Sequence, residues 1–343
     1  MRTSVSRTLP VMLGLVFLSA MMMTGPRLAL AQTDQTELPL PGRLVDVGGY
    51  RMHLWCRGTS ENGAPTVVLS IGGGGFAVDW ALVQLPLSDS IRVCSYDRPG
   101  YGWSDPGPQP RTLRQEAFDF HELLQAAGEV PPYVLVGHSI GAFVVRRFAA
   151  EYRDDVVGLV LVGPTNENGK LGYRGQWVLP RTLASDRQIP TPHPFAEPPP
   201  RPSGPDFESC RTDAARNARI WSPFDRLGVQ WQQYRVWALA HPACEPWQDD
   251  YFAEEMADFY NEWATHPHPL DDLPLVVVMG TRKEPPPGLS QEELRSDSLR
   301  LDLSRLSVRG SMVADSLSGH HVYLENPDIV IRAIHGVLRM IRD

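Results

Sequence analysis

Two hydrophobic patterns alternate along this chain. Short, continuous apolar runs are typical of strands buried on both faces, and they are followed by stretches with apolar residues at helical spacing. The predicted strands are 43–47, 51–57, 65–71, 91–96, 133–138, 156–162, 274–279 and 311–315. The predicted helices are 112–127, 140–152, 291–306 and 326–341. The alternation predicts an α/β fold in which helices cover both faces of a mostly parallel sheet.

The pattern changes between about residues 165 and 270. This stretch contains a proline-rich run at 190–205 and six of the nine tryptophans in the chain. The six are Trp177, Trp221, Trp231, Trp237, Trp247 and Trp263. A disordered linker is poor in aromatic residues, so we expect a folded insertion that contains one long loop.

A serine between two glycines carries the clearest chemical signal. The sequence Gly-His-Ser-Ile-Gly at 137–141 joins a predicted strand to a predicted helix. A turn this tight needs almost no side chain at Gly137 and Gly141, and it presents the serine for attack. The pattern therefore predicts Ser139 as a nucleophile, although a structural glycine turn that happens to carry a serine remains the alternative.

Backbone donors for a developing oxyanion are predicted at two places. The N-terminus of the helix after Ser139 directs its N–H groups at the reacting atoms, which indicates Ile140 as one donor. Four consecutive glycines at 72–75 allow close approach of the backbone, and Gly73 is the predicted second donor. A flexible turn is the alternative interpretation of the glycine run.

A serine nucleophile needs a base, and the base needs an orienting acid. Between the last predicted strand and the last helix stands Ser-Gly-His-His at 318–321. We assign His320 as the base because it directly follows the glycine, with His321 as the alternative. Glu284 follows the strand 274–279 and is the preferred acid, whereas Glu167 follows the strand 156–162 and is its rival. Either carboxylate could instead be a solvated loop residue.

These motifs together resemble the α/β-hydrolases of the serine-hydrolase superfamily across about residues 42–343. The matching segments are Gly72 to Gly75, Asp97 to Ser104, Gly137 to Gly141, and Gly319 with His320. The resemblance implies an eight-stranded sheet with a cap inserted after the sixth strand and covering the active site. Residues 42–164 and 271–343 would then form the core, and residues 165–270 the cap.

The chain departs from the common pattern of that superfamily at two positions. Many members begin the oxyanion loop with His-Gly, where this chain has Ile71 before Gly72. Many carry an acid three residues after the glycine that ends the seventh strand, whereas here Glu284 comes one position later. Relatives with an aspartate nucleophile are disfavoured because position 139 is serine.

The charge of the chain and the spacing of its cysteines and histidines indicate which partners and cofactors to expect. The formal net charge is −8 and no basic cluster is present, which argues against a nucleic-acid partner. The sequence has no Cys-x-x-Cys motif, and His266 and His268 flank a proline in a predicted surface loop. We therefore expect neither a metal nor an organic cofactor.

The N-terminus has the pattern of an export signal. Arg2 and Arg7 precede an apolar run at 9–23, and Ala-Leu-Ala at 29–31 suits a signal peptidase. The pattern predicts a signal peptide at 1–31, cleavage after Ala31, export to the periplasm or the medium, and no stable membrane insertion afterwards. An uncleaved membrane tether is the alternative.

The four cysteines all lie beyond this segment. An exported chain meets an oxidising compartment, and Cys210 and Cys244 share the predicted insertion, so we expect a disulfide between them. Cys56 and Cys94 each lie in a predicted strand, where we expect buried free thiols.

The sequence thus predicts an exported serine esterase that cleaves an ester or related acyl bond of a small molecule through an acyl-enzyme. The tryptophans of the predicted cap suit a partly apolar substrate, although they also suit the cap's own core. The alternatives are an acyltransferase, a peptidase or a carbon–carbon hydrolase with the same triad, and a non-catalytic binding protein with this fold.

Overall fold

A central sheet of eight strands dominates the computed structural model, which describes residues 38–60, 63–173, 176–193, 204–241, 251–282 and 302–342. In chain order the strands are β1 (Arg43–Asp46), β2 (Arg51–Arg57), β3 (Thr66–Ser70), β4 (Val93–Tyr96), β5 (Tyr133–His138), β6 (Val156–Val162), β7 (Leu171–Tyr173), β8 (Gln176–Val178), β9 (Leu275–Gly280) and β10 (Gly310–Asp315). The large sheet has the order β1-β2-β4-β3-β5-β6-β9-β10. β2 pairs antiparallel with β1 and β4, and the remaining pairs are parallel. The prediction of a mostly parallel eight-stranded sheet is confirmed.

Helices cover the sheet on both faces. They are α1 (Ala81–Leu87), α2 (Leu113–Ala126), α3 (Gly141–Glu151), α4 (Pro205–Asn217), α5 (Val229–Ala240), α6 (Phe252–Thr265) and, at the C-terminus, α7 (Pro327–Arg342). A four-residue helix, Val322–Glu325, precedes α7. The sequence pattern did not predict α1, which is only seven residues long and contains Pro86. The predicted helix 291–306 lies mostly outside the described residues, and its end, Leu303–Leu306, is a 3₁₀ turn.

The apolar core has two layers, one on each side of the sheet. Successive side chains of a strand point to opposite faces, so Leu135 packs in the layer formed with α2 and α3, whereas Val136 packs in the layer formed with α1 and α7. Every residue of β5 is buried. Because both layers demand apolar side chains, the central strands appear in the sequence as continuous hydrophobic runs.

The segment between β6 and β9 leaves the large sheet. It carries α4, α5, α6 and the two-stranded β7–β8 sheet, and none of these elements pairs with the eight strands. We call residues 165–270 the insertion. Its described residues belong to the same compact unit as the sheet, Pro39–Asp343.

One carboxylate of the insertion caps a helix of the core. Glu255 on α6 accepts hydrogen bonds from the backbone N–H groups of Leu113 (2.9 Å) and Arg114 (3.0 Å), the first two residues of α2. These N–H groups have no partner within the helix, and a negative charge at a helix N-terminus is stabilising. The insertion is therefore attached to the core by a polar contact as well as by apolar packing.

The cysteine prediction is wrong for one pair. Cys56 and Cys94 form a disulfide between the neighbouring antiparallel strands β2 and β4, where the two residues lie directly opposite each other. The sequence shows that each cysteine lies in a strand, but it does not show that the two strands are adjacent. Cys210 is also disulfide-bonded. Its predicted partner Cys244 lies outside the described residues.

The predicted signal peptide at 1–31 also lies outside the described residues. Within the ranges that are described, no helix combines the length and the apolar character needed to cross a lipid bilayer.

Candidate active site

Ser139 stands on a strained turn between β5 and α3. Its backbone has φ 53°, in the left-handed region. This conformation costs a residue with a side chain about 1 kcal/mol and is tolerated where the surrounding structure enforces it. Ser139 is partly exposed, whereas all the residues of β5 before it are buried. The turn thus presents the hydroxyl at the carboxyl edge of the parallel strands, where ligands of such sheets bind.

Steric crowding explains the glycines around this serine. A Cβ on Gly137 would lie 2.5 Å from the carbonyl oxygen of Gly141, and a Cβ on Gly141 would lie 2.6 Å from that of Ser70. A Cβ on Gly72 would lie 2.7 Å from Cβ of Ser139. All three contacts are too short for real atoms, so the end of β3, the turn and the start of α3 can meet only because these positions are glycine.

The Ser139 hydroxyl has a polar neighbour that the sequence reasoning missed. Its Oγ lies 3.3 Å from Oγ1 of Thr165, and the Thr165 N–H donates to the Ser139 carbonyl at 3.3 Å. Thr165 follows β6, the neighbour of β5 in the sheet. The sequence did contain a signal for this contact, because Thr165 is a polar residue just after a strand that could be expected to pair with β5.

The predicted oxyanion loop lies beside the turn. Gly73 is exposed, and a Cβ on it would lie 3.7 Å from Cδ1 of Ile140. The two predicted donors, Gly73 and Ile140, are therefore neighbours. The buried guanidinium of Arg98 donates to the carbonyl of Gly72 at 3.0 Å and fixes the start of the loop.

The segment Asp97 to Ser104, which follows β4, contacts the backbone on both sides of the glycine loop. The buried carboxylate of Asp97 accepts from the backbone N–H of Ala77 (2.7 Å) with one oxygen. Its other oxygen accepts from the backbone N–H of Trp103 (3.2 Å) and bonds Nδ1 of His53 (2.7 Å). Asp97 thus binds two backbone N–H groups and the His53 ring, and Arg98 binds a backbone carbonyl, so this segment shapes the loops around the candidate site.

His320 lies in the loop after β10, and two contacts bring that loop to the turn. The ring of His138, the residue before Ser139, donates from Nε2 to the carbonyl of His320 at 3.0 Å. The rings of His138 and His320 lie 4.7 Å apart between centroids. A Cβ on Gly163, just after β6, would lie 2.8 Å from the carbonyl oxygen of His320. The turn that carries Ser139 and the loop that carries His320 are therefore in contact.

The two histidines next to this candidate base are held neutral. Burial lowers the pKa of His138 well below its ordinary value, and repulsion by the protonated forms of His320 and His321 lowers it further. Burial also lowers the pKa of His321 to about 4, with smaller effects from His320 and from Arg235 of the insertion. The His321 ring packs edge-on against the ring of Phe224 in the insertion, with 5.0 Å between the ring centroids. Neutral neighbours do not repel a positive charge that forms on His320.

The rival acid, Glu167, is already paired. It is fully buried, and its two oxygens accept from Nη2 and Nη1 of Arg146 at 2.8 and 2.9 Å. Burial by itself raises the pKa of Glu167, but the charge and hydrogen bonds of Arg146 outweigh it and lower the pKa overall. Among the described residues, the partner of Glu167 is Arg146 rather than His320. The geometry therefore speaks against Glu167 as the orienting acid.

The preferred acid, Glu284, lies outside the described residues. The chain leading to it is described as far as Arg282, whose N–H donates to the carbonyl of Ser318 at 2.9 Å. Arg282 Nη1 also donates to the carbonyl of Leu317 at 2.6 Å. A Cβ on Gly280 would lie 1.9 Å from the carbonyl oxygen of Gly319. The end of β9 thus lies against the loop that carries His320.

A second carboxylate organises that loop and was missed from the sequence. Asp315, at the end of β10, accepts from the hydroxyl of Ser318 (2.5 Å), the amide of Asn326 (2.9 Å) and the N–H of Leu317 (3.0 Å). These bonds, that of Ser318 first, lower the pKa of Asp315 below its ordinary value. Asp315 therefore shapes the backbone on the N-terminal side of His320. The sequence signal for this role was the position of Asp315 at the end of a predicted strand, three residues before Ser318.

In the described part of the chain, one group of side chains lies close enough to share a metal ion: Cys56, Cys94 and Glu129. The disulfide engages both sulfur atoms.

Comparison with known proteins identifies the protein family of this chain. The family model described as the alpha/beta hydrolase family matches residues 67–333, and the chain belongs to that family. Its fold resembles an esterase from Thermogutta terrifontis, with a TM-score of 0.56 and 21% identity over 88% of this chain and 100% of the other. It also resembles the enol-lactonase from Burkholderia xenovorans LB400, with a TM-score of 0.55 and 19% identity over 87% of this chain and 100% of the other.

Curated relatives match shorter stretches. The putative carbamate hydrolase RutD of Klebsiella pneumoniae is 37% identical over 102 residues, which are 29% of this chain and 38% of that protein. The uncharacterized protein YqjL of Bacillus subtilis is 33% identical over 99 residues, or 29% of this chain and 39% of that protein. The probable transporter efuK of Hormonema carpetanum is 34% identical over 129 residues, or 36% of this chain and 18% of that protein. The chain spans between 18% and 39% of the length of these relatives.

Proposed function

We propose that this protein is an exported serine hydrolase that cleaves an ester or related acyl bond of a small molecule through an acyl-enzyme. The observation that carries the proposal is the geometry of Ser139. The serine stands at positive φ beside the exposed Gly73 backbone and on the loop adjacent to that of His320. A nucleophile, a base and two backbone donors at one sheet edge are the parts that acyl transfer requires.

The reaction follows from these roles. Ser139 Oγ attacks the carbonyl carbon while His320 accepts its proton, and the N–H groups of Gly73 and Ile140 donate to the oxyanion. The tetrahedral intermediate collapses to an acyl-enzyme as His320 protonates the leaving group. A water molecule, deprotonated by His320, then attacks the acyl carbon, and the acid product leaves with Ser139 restored. Glu284 would accept from the second ring nitrogen of His320 and stabilise the imidazolium.

Two further observations support this assignment. The neutral state of His138 and His321 leaves the developing positive charge of His320 unopposed by its nearest rings. The names of the similar proteins — esterase, enol-lactonase and putative carbamate hydrolase — all denote hydrolysis at an acyl carbon.

Hydrolysis of short-chain p-nitrophenyl esters tests the proposal. The wild-type protein should release p-nitrophenol and the carboxylic acid, and Ser139→Ala should lose on the order of 10³-fold or more in kcat/KM. Ser90→Ala, a change at an exposed serine remote from the turn in sequence, is the matched control and should keep the wild-type rate. Equal rates for wild type and Ser139→Ala would contradict the proposal. Product analysis with added alcohol or amine acceptors separates hydrolysis from acyl transfer.

A further inference from the structure

A buried ion pair joins the insertion to the element that follows the oxyanion loop. Arg235, on α5 of the insertion, is 2% exposed, and Asp79, in the 3₁₀ helix Ala77–Trp80, is fully buried. Nη1 of Arg235 donates to Oδ2 of Asp79. That 3₁₀ helix begins two residues after the glycine run at 72–75. Its carboxylate therefore lies between the insertion and the loop.

The same carboxylate oxygen holds the end of the glycine loop. Oδ2 of Asp79 accepts the backbone N–H of Phe76 at 2.9 Å, and Phe76 directly follows Gly75. A Cβ on Gly75 would lie 3.4 Å from that oxygen. The start of the loop is held independently by Arg98 through the carbonyl of Gly72. Gly73 lies between these two attachments, so the direction of its N–H depends on both.

The Arg235 guanidinium is surrounded by aromatic rings, and one of its nitrogens has no hydrogen-bond partner. Its Cζ lies 3.5 Å from the ring centroid of Phe224, 5.3 Å from that of Trp221 and 5.4 Å from that of Phe76. Its Nε is buried without a hydrogen-bond partner. A buried ion pair is weak evidence for stability, because well-packed apolar residues often replace such a pair without loss. The pair is better explained by what it positions.

The guanidinium also acts on the loop of the candidate base. Its charge is one of the causes that lower the pKa of His321, after burial and His320. It also opposes the effect by which burial raises the pKa of Tyr323, which packs 4.7 Å from His138 between ring centroids. Arg235 is therefore within electrostatic reach of the loop that carries His320.

We propose that Arg235 is a positioning residue that couples seating of the insertion to the geometry of the oxyanion hole. Through Asp79 and the N–H of Phe76, it holds the glycine loop so that the Gly73 N–H faces the oxyanion when α5 is in place. The inference rests on the proposed function, and it gives the insertion a role in the geometry of the oxyanion hole. Loss of the pair should weaken stabilisation of the transition state more than binding of the ground state.

The test compares Arg235→Gln with Arg216→Gln. Arg216 is on α4 of the same insertion and forms an exposed pair with Asp213 at 2.6 Å, so it is a matched control. For a p-nitrophenyl ester we expect Arg235→Gln to lower kcat by on the order of tenfold or more, with KM within about threefold. Binding of a trifluoromethyl ketone, whose adduct carries an oxyanion, should weaken by the same factor as kcat. Arg216→Gln should match wild type in all three measurements.

A double variant keeps the test decisive if Arg235→Gln folds poorly. Asp79→Leu combined with Arg235→Met replaces the pair by apolar side chains and restores packing without a buried charge. The Phe76 N–H loses its acceptor in this variant, so we expect it to fold with a somewhat lower melting temperature and still to show a low kcat and weak ketone binding. Recovery of the wild-type kcat would show that the pair is merely structural and would overturn the inference.

The outcomes separate this inference from the proposed function. A folded wild-type protein with no esterase activity and no ketone binding refutes the serine hydrolase assignment, and the positioning role with it. An active wild type whose kcat and ketone affinity are unchanged in Arg235→Gln refutes the positioning role alone.

Discussion

The Ser139 and Thr165 hydroxyls form a pair at the centre of the candidate site, with their oxygens 3.3 Å apart. The backbones of the two residues are also bonded, because the Thr165 N–H donates to the Ser139 carbonyl. The loop after β6 therefore fixes both the main chain and the side chain of the candidate nucleophile. Thr165 reaches Ser139 because β5 and β6 are neighbours in the sheet.

Removing the Thr165 hydroxyl should slow acylation. Thr165→Val keeps the shape of the side chain but loses a hydrogen bond that holds the Ser139 rotamer, worth about 1 kcal/mol. We expect kcat/KM to fall about fivefold, while Thr165→Ser stays close to wild type. The rate of labelling by a fluorophosphonate measures acylation directly. An unchanged labelling rate in Thr165→Val would show that this hydrogen bond does not orient the nucleophile.

The orienting acid can be assigned by comparing two carboxylates. Glu284→Gln should lower kcat by about 10³-fold because His320 loses its partner, with little change in melting temperature. Glu167→Gln should behave in the opposite way. It leaves the Arg146 charge buried without a counter-ion, which costs about 3 kcal/mol of folding free energy, and it should leave kcat of the folded protein within about threefold. A near-normal kcat for Glu284→Gln would reject it as the acid.

Stability should fall as the solution becomes mildly acidic. The pKa of His321 in the folded protein is about 4, below the value near 6.5 of an exposed histidine. The unfolded chain therefore binds a proton that the folded protein does not, and the folded state loses stability as pH falls from about 6.5 towards 4. His321 is partly exposed, so we expect its contribution between pH 7 and pH 5 to be about 1 kcal/mol.

Urea unfolding of His321→Asn at the two pH values measures this contribution. The variant should lose less stability between pH 7 and pH 5 than wild type does. His266→Asn, at an exposed histidine of the insertion, is the control and should follow wild type. An identical pH dependence in His321→Asn and wild type would contradict the burial argument.

Reduction of the Cys56–Cys94 disulfide should destabilise the core. The bond closes a loop with a sequence separation of 38 residues. A cross-link of that span restricts the unfolded chain by about 4 kcal/mol in the loop-entropy account. Cys56→Ala combined with Cys94→Ala should therefore unfold at lower urea concentration than wild type, and a dithiol reductant should not destabilise it further through this bond. If the double variant is as stable as wild type, the cross-link has no net effect.

The strands and the turns between them that carry the candidate site could be predicted because each is encoded locally. Because β5 and β6 are buried on both faces, each is a continuous apolar run in the sequence. The turn between β5 and α3 has no room for a side chain at two positions, and the sequence therefore shows Gly137 and Gly141 on either side of Ser139. The position of His320 in the loop between the last strand and the last helices was also visible in the sequence, whereas its role as the base stays a prediction. These features depend on residues close together in sequence, so periodicity and spacing reveal them.

Contacts between distant segments could not be predicted in this way. The Cys56–Cys94 bond depends on which strands are neighbours, and Thr165 reaches Ser139 only through the pairing of β5 with β6. The pair of Arg235 with Asp79 joins residues 156 positions apart. Arg146 and Glu167 likewise look like ordinary surface charges in the sequence, and only the fold shows that they neutralise each other in the interior.

The role of Ser139 as the nucleophile is tested by mapping the adduct that a fluorophosphonate forms on the folded wild-type protein. We expect one stoichiometric label on the peptide that contains Ser139, no label on Ser139→Ala, and loss of esterase activity in step with labelling. A folded wild-type protein that takes no label, or a label on a residue other than Ser139, would show that Ser139 is not the nucleophile.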